Sequence, residues 1–193
     1  MIPGITASAR RRQSGGGGDL PSEIGQPFGG GFYAGDIQYP DGQWYKLIVA
    51  DVSAEADEVE WRTSWTGTFG TDHMFDGVAN TNVMVAAGIE LHPAAAHCIS
   101  YQGGGFEDWY MPAIEELTVI CENLGFDRPN CPPDFQTGGP QAFSNNFYWS
   151  STGYGTSGQS WGWRFDYEDS APTTRITVNP APVRPVRRVP FNP

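Results

Sequence analysis

Apolar and polar positions change their spacing along the chain, and each spacing predicts a different element. Apolar residues run up to Ile37, a Pro-Asp-Gly turn follows at 40–42, and a second apolar stretch extends from Trp44 to Val52. This order is typical of a β-hairpin. Residues 53–82 are rich in Thr, Gly and Trp and lack a period, so the pattern predicts long irregular loops there.

Two helices are predicted in the middle of the chain. The first begins near Pro93, because proline suits the first turn of a helix, and it ends before the glycines at 103–105. Ala95, Cys98 and Ile99 are expected to face the core.

The second helix begins near Pro112 and ends at Gly125. Glu115 and Glu116 fall in its first turn, where carboxylates favour the positive end of the helix dipole. A buried stripe at positions i, i+3, i+4 and i+7 is expected from Leu117, Ile120, Cys121 and Leu124.

The remaining segments alternate as strands do. Aromatic residues occupy every second position at Trp161, Trp163, Phe165 and Tyr167, which places them on one face of a strand. The first three and Trp149 are expected in the core. "TRITVN" is the expected partner strand, and "VRPVRRV" is expected to close the sheet, with Pro185 at an edge or bulge. We expect the first and last strands of the domain to pair and bring both termini to one side.

Residues 151–160, "STGYGTSGQS", contain no charged residue. Ser, Thr, Gly and Tyr make the adaptable hydrogen-bonding surface of many binding loops. The segment therefore predicts a ligand-binding loop with Tyr154, Thr156, Ser157 and Gln159 as contact residues. The alternative is a plain solvated loop.

The composition of the chain predicts a boundary between an N-terminal arm and a folded domain. The chain has 193 residues with 25 Gly and 16 Pro, which is typical of one loop-rich domain with extensions. Residues 1–27 are predicted to form an extended basic and Gly-rich assembly arm, and residues 28–193 the folded domain. We find no secretory signal and no transmembrane stretch, so we expect a soluble protein made in a cytoplasm, with no membrane insertion.

Charge is distributed unevenly. All 22 acidic residues lie between 19 and 169, and the net charge is −11. An acidic body argues against nucleic acid as a partner, because phosphate binding needs a basic face. Both ends are basic and are expected to dock onto another protein, through the following assembly residues: Arg10, Arg11, Arg12, Arg187 and Arg188. The alternative is that these arginines are incidental.

The sequence offers few candidate catalytic or metal-binding residues. The chain has no metalloprotease, nucleophile-elbow, phosphate-loop or dinucleotide motif, so we expect neither an enzyme nor a cofactor. Asp72 and Asp76 flank His73 and are acceptable cation ligands, but a solvated acidic turn is favoured and no metal is expected. Cys98 and Cys121 either pair or remain thiols, and a cytoplasmic origin favours thiols.

Several motifs resemble a known family. "DGVANTNVMVAAG", "GGGFEDWYMPAIEEL", "YWSST" and "VRPVRRV" occur in order over about residues 29–190. Together they resemble the C-terminal domain of the Legionella collagen-like adhesin and its relatives, a family with a C-type-lectin-like fold. The resemblance implies an α+β domain with two short helices and twisted antiparallel sheets, preceded by the extended arm.

The same resemblance assigns roles to positions. It implies that Trp109 and Pro112 anchor the second helix and that Trp149, Ser150 and Ser151 lie on a core strand. Tyr110 and Met111 stand where many relatives have Arg and Leu. Pro185 stands where relatives often have Cys, which removes a usual disulfide.

The version with "DWY", the Gly-rich arm and "ANT" resembles virion proteins of tailed bacteriophages. It implies a virion structural protein that is assembled in the host cytoplasm, with other virion proteins as partners and a homo-oligomer, most plausibly a trimer. The favoured role is a tail-fibre or tail-tip component that binds a host surface glycan or protein. A capsid decoration or head-fibre protein is the first alternative, and a bacterial surface adhesin is the second.

Overall fold

The computed structural model describes residues 20–125, 128–155, 159–164 and 171–193. Within these ranges the protein is a mixed α+β domain. Its α-helices are α1 (Gly77–Gly88), α2 (Pro93–Ser100) and α3 (Ile114–Leu124). Its strands are β1 (Pro27–Phe28), β2 (Gly31–Gln38), β3 (Trp44–Val49), β4 (Ala56–Val59), β5 (Phe147–Gly153), β6 (Gln159–Arg164), β7 (Ala171–Ile176), β8 (Ala181–Val183) and β9 (Val186–Phe191). Short 3-10 turns occur at Val52–Ala54, Ile89–Leu91, Gly103–Gly105 and Pro133–Phe135.

The predicted hairpin is confirmed as β2 and β3. Its register pairs Gln38 with Trp44 and Phe32 with Val49 across the turn. A bulge falls at Gly35, whose φ of 130° is a conformation that favours glycine. A side chain at this position would meet the amide of Asn123 on α3. The missing side chain therefore lets α3 pack directly on β2.

The last strand joins this sheet, but its partner differs from the expected one. The sheet has the order β1-β2-β3-β9, and Val186 pairs with Val49 while Phe191 pairs with Trp44. Because β9 is antiparallel to β3, it runs in the same direction as β2. β1 is antiparallel to β2, so β9 also runs opposite to β1, but β2 and β3 lie between these two strands. The expectation that the first and last strands of the domain pair directly is therefore wrong.

Two smaller sheets complete the strands. β4 pairs with β8, and β5, β6 and β7 form a three-stranded antiparallel sheet in that order. The prediction that "TRITVN" returns beside the aromatic strand is confirmed, since Thr174 pairs with Trp161. Pro185 lies in the break between β8 and β9, where its missing N–H costs no ladder hydrogen bond.

The described residues contain three α-helices, so the expectation of two helices is wrong. Residues 77–82 of α1 fall within the range 53–82 that we predicted to be irregular loops, so that part of the prediction is wrong. Asp76 caps it by accepting a 2.9 Å hydrogen bond from the Ala79 amide. Apolar and polar residues alternate around α1 without a stripe, and its buried positions include Asn80 and Thr81. Periodicity alone therefore could not detect it.

The two predicted helices are present as α2 and α3. In α2, Ala95 and Cys98 are buried as expected, but Ile99 is 38% exposed, and Ala94 takes the inward position instead. This correction follows from the helical period, since adjacent residues 98 and 99 point about 100° apart. The expected stripe of α3 is fully buried.

Three apolar clusters form the core of the part that the structure describes. The largest one packs α3 against the first sheet and contains Cys121 and Cys131, whereas Cys98 and Trp149 belong to a second cluster under α1 and α2. Cys98 is a buried free thiol, and burial raises its pKa above the usual range. Trp149 is in the core as predicted, while Trp161 is only half-buried. The side chain of Trp163 and residue Phe165 lie outside the described part.

The folded part begins before Phe28. β1 pairs with the start of β2, the Gly25 amide donates to the Tyr33 carbonyl at 2.8 Å, and Ile24 packs against two of the core clusters. Residues 20–27 thus contribute to the domain, although the sequence assigned them to the arm.

Candidate ligand-recognition surface

Both ends of the segment 151–160 lie in strands, residues 151–153 in β5 and residues 159–160 in β6. Ser151, Thr152 and Ser160 are fully buried, and their hydroxyls take part in the packing of the sheet. The Ser160 hydroxyl donates to the Thr152 carbonyl at 2.7 Å, and the Thr152 hydroxyl donates to the carbonyl of His73 at 3.0 Å. The expectation of an exposed loop over this whole range is therefore wrong, because these small polar side chains satisfy backbone groups inside the fold.

The exposed part of the segment centres on Tyr154, which is 49% exposed. Its amide donates to the Gln159 carbonyl at 3.1 Å, and its ring lies edge-on to the half-buried Trp161 at 5.6 Å. Gln159 is half-buried at the start of β6. Thr156 and Ser157, the other two predicted contact residues, lie outside the described residues.

A second loop, residues 62–72, exposes two more aromatic side chains. Trp65 is 68% exposed and Phe69 is 87% exposed. Within the loop, Arg62 donates to the carbonyl of Thr66, and from outside it the Thr177 hydroxyl donates to the Ser64 carbonyl at 3.1 Å. The exposed rings are thus carried by an anchored loop.

The two loops meet at Gly153. Its amide donates to the Thr71 carbonyl at 2.7 Å, and a side chain at Gly153 would collide with the Thr71 hydroxyl. A small groove of about 60 Å³ lies at this junction and is lined from residues 68–72 and from Gly153 and Gly155. We call Trp65, Phe69, Tyr154 and this groove the recognition surface.

A buried histidine, His92, forms a hydrogen bond with Thr68, which lines the groove. His92 Nε2 lies 2.6 Å from the Thr68 hydroxyl, and Nδ1 lies 2.9 Å from the Gly88 carbonyl. Since a carbonyl only accepts, Nδ1 carries the proton and Nε2 accepts from Thr68. Burial lowers the pKa of His92 and keeps this neutral form.

Sequence reasoning missed Trp65 and Phe69. Both lie in "TSWTGTFG", which has the same Thr-, Ser- and Gly-rich composition as residues 151–160. Aromatic residues in such a non-periodic segment were the available signal for exposed rings.

The basic residues predicted for assembly lie in two different places. Arg10, Arg11 and Arg12 are outside the described part. Arg187 is buried, forms a two-pronged ion pair with Asp108 at 2.7 and 2.9 Å, and lies over the Phe106 ring at 3.7 Å.

Arg188 is also occupied within the chain. It donates to the Tyr39 hydroxyl and, at 2.9 Å, to Asp76, and it lies 4.6 Å from the centre of the Tyr45 ring. Both arginines thus hold the last strand to the rest of the fold, and their assembly role stays a prediction.

Glu116 is a fully buried charged residue at the start of α3. One carboxylate oxygen accepts from the hydroxyls of Tyr39 and Tyr110 at 2.6 Å each. The other accepts from the amides of Ala113 at 2.7 Å and Gly77 at 3.2 Å. With four donors around it, this carboxylate joins α1, α3 and the first sheet, and it does not line the groove beside Gly153.

The described ranges contain neither a metal-binding cluster nor a single membrane-spanning helix. No group of three or more His, Cys, Asp or Glu side chains among the described residues is arranged to hold a metal ion. Asp76 is occupied by the α1 cap and by Arg188. No single described helix is long and apolar enough to cross a membrane; residues Gly77–Leu91 and Pro93–Ser100 meet the length and composition test only as a pair bent by 110°.

Comparisons with known proteins identify no family. No protein-family model matches the chain. No curated protein is significantly similar to it.

Proposed function

We propose that this protein is a non-catalytic recognition module of a bacteriophage virion, and that its domain has a C-type-lectin-like fold. Its recognition surface binds a host surface glycan. The observation that carries the proposal is the exposure of Trp65, Phe69 and Tyr154 on two loops that meet at one groove.

Exposed aromatic rings are costly on a protein that has no partner, because they leave large apolar areas in water. Tyr and Trp provide rigid, amphipathic contact area at low entropic cost, which suits the alternating apolar and hydroxyl faces of a sugar ring. The groove is lined by Phe69 and by the exposed Asp72, whose carboxylate is able to accept hydrogen bonds from sugar hydroxyls. These features support glycan binding more than catalysis.

The virion role rests on the sequence resemblance and on the basic arm. In this proposal residues 1–19 attach the domain to other virion proteins, within a homo-oligomer, and the recognition surface faces the host. A position on the tail is favoured over a capsid decoration because the exposed rings offer a surface for a partner outside the particle.

Binding of the full chain to an array of bacterial surface polysaccharides tests the glycan part. Tyr154→Ala and Phe69→Ser are each expected to weaken binding by roughly tenfold or more, as for central interface aromatics. Ile99→Ser is the matched control, since Ile99 is an exposed apolar residue on α2. Equal binding by all variants would overturn the assignment of this surface.

Labelling of intact particles tests the virion part separately. Antibody bound at the tail supports the proposed role, antibody bound at the head assigns the protein to capsid decoration, and particles without label refute a virion protein.

A further inference from the structure

A second cleft lies along β7, the outer strand of the three-stranded sheet in the described part. It has a volume of about 490 Å³, within the range of small-molecule sites. Its lining is polar except for one ring: Asn145, Asn146, Phe147, Thr173, Thr174 and Arg175. It shares no lining residue with the groove beside Tyr154.

Arg175 is the unusual member of this lining. Its Nε is buried and has no hydrogen-bond partner among the described residues. The described arginines of the last strands, in contrast, pair with acids: Arg184 with Glu55, Arg187 with Asp108 and Arg188 with Asp76. In a chain with twice as many acidic as basic residues, a guanidinium that meets no acid in the described structure is a position where a ligand anion fits.

The geometry around Arg175 favours a flat, two-oxygen anion. The Phe147 ring lies 5.4 Å from its guanidinium carbon and borders the group on one side. The edge formed by Nε and one terminal nitrogen matches the two oxygens of a carboxylate. The amides of Asn145 and Asn146 and the hydroxyls of Thr173 and Thr174 supply donors and acceptors for sugar hydroxyls.

We propose that this cleft binds a carboxylate-bearing sugar of the hexuronate class, with Arg175 as the partner of the carboxylate. The sugar hydroxyls are held by the asparagine amides and the threonine hydroxyls. The site is separate from the recognition surface, and binding here does not depend on Tyr154.

The test uses the full chain, ¹⁵N-labelled, titrated with sodium glucuronate, with glucose, and with inorganic phosphate at matched ionic strength. Glucuronate is expected to shift the Arg175 Nε–H signal in a saturable way, since this donor gains its acceptor. The affinity for glucose is expected to be lower by about tenfold or more, because glucose lacks the carboxylate charge. Phosphate that binds as tightly as glucuronate would identify a general anion site and overturn the sugar assignment.

Variants locate the site. Arg175→Gln is expected to lower glucuronate affinity by about tenfold or more, and Arg175→Lys by a smaller factor, because lysine keeps the charge without the fork. Arg128→Gln removes the same charge from a residue that does not line the cleft and should leave affinity unchanged.

Two further variants keep the result interpretable. Asn145 is exposed, so Asn145→Ala tests the cleft without a risk to folding, and it is expected to lower affinity by about threefold. Tyr154→Ala should bind glucuronate normally, even if it loses polysaccharide binding at the recognition surface. Unchanged affinity in both Arg175→Gln and Asn145→Ala would refute the proposal.

Discussion

Glu116 connects three parts of the chain through its two carboxylate oxygens. Burial raises the pKa of Glu116 to about 7, and its hydrogen-bond donors act in the opposite direction without cancelling this effect. In the unfolded chain the same group titrates near its ordinary value of 4.5. Between these two values the folded protein binds more protons than the unfolded protein. The contribution of Glu116 to the free energy of unfolding therefore falls as the pH rises through this window.

We predict that this contribution falls by roughly 3 kcal/mol between about pH 4.5 and pH 7. Denaturant unfolding at a series of pH values, compared between the natural protein and Glu116→Gln, measures it. The variant lacks the titrating carboxyl, whereas His92 titrates in both proteins and cancels in the difference. Parallel stability curves across this pH range would contradict the prediction, even if the variant is less stable throughout.

At the scale of elements, α1 depends on its first residues more than on an apolar face. Gly77 begins the helix and Gly88 ends it, and both residues weaken a helix intrinsically. Asp76 compensates at the start because it caps the helix and also accepts from Arg188 on β9 at 2.9 Å. One carboxylate thus orients α1 relative to the first sheet.

Asp76→Ala is expected to lower the free energy of unfolding by about 1–2 kcal/mol, mostly through the lost cap, because the ion pair is partly exposed to solvent. Thermal or denaturant unfolding measures the change. Asp72→Ala is the matched control, since Asp72 is an exposed carboxylate four residues earlier. Equal stability of the two variants would show that the cap contributes nothing.

At the scale of the whole molecule, the folded domain begins with the residues that pair with or pack against the first sheet. Ile24 packs against the core, and β1 pairs with β2. Residues 1–19, in contrast, contain few large apolar residues to bury, with Ile2 and Ile5 among Gly, Ser and Arg. We predict that deletion of residues 1–19 leaves the unfolding midpoint unchanged. Deletion of residues 1–28 is expected to lower it, because the β1 pairing and the Ile24 contacts are lost.

Differential scanning calorimetry of the two truncated proteins against the full chain measures this pair. If both deletions lower the midpoint equally, the first 19 residues contribute to the fold. If neither does, β1 is not part of the stable domain.

The sequence by itself determined the elements whose signals are local. The 40–42 turn lies between two apolar stretches, and the stripe from Leu117 to Leu124 follows the helical period, so β2, β3 and α3 were predictable. α1 was not, because its capping residue and its buried polar residues give no periodic signal.

Only the tertiary structure decided how similar residues are used. Ser151 and Tyr154 belong to the same uncharged segment, yet one is buried in a sheet and the other is exposed. Arg187 lies on β9 and Arg175 on β7, yet one meets Asp108 and the other lines an open cleft. The composition of a segment states which groups are available for hydrogen bonds and ion pairs. Whether those groups face the chain or a ligand depends on partners that lie far away in sequence, and these are brought together only when the sheets and helices pack.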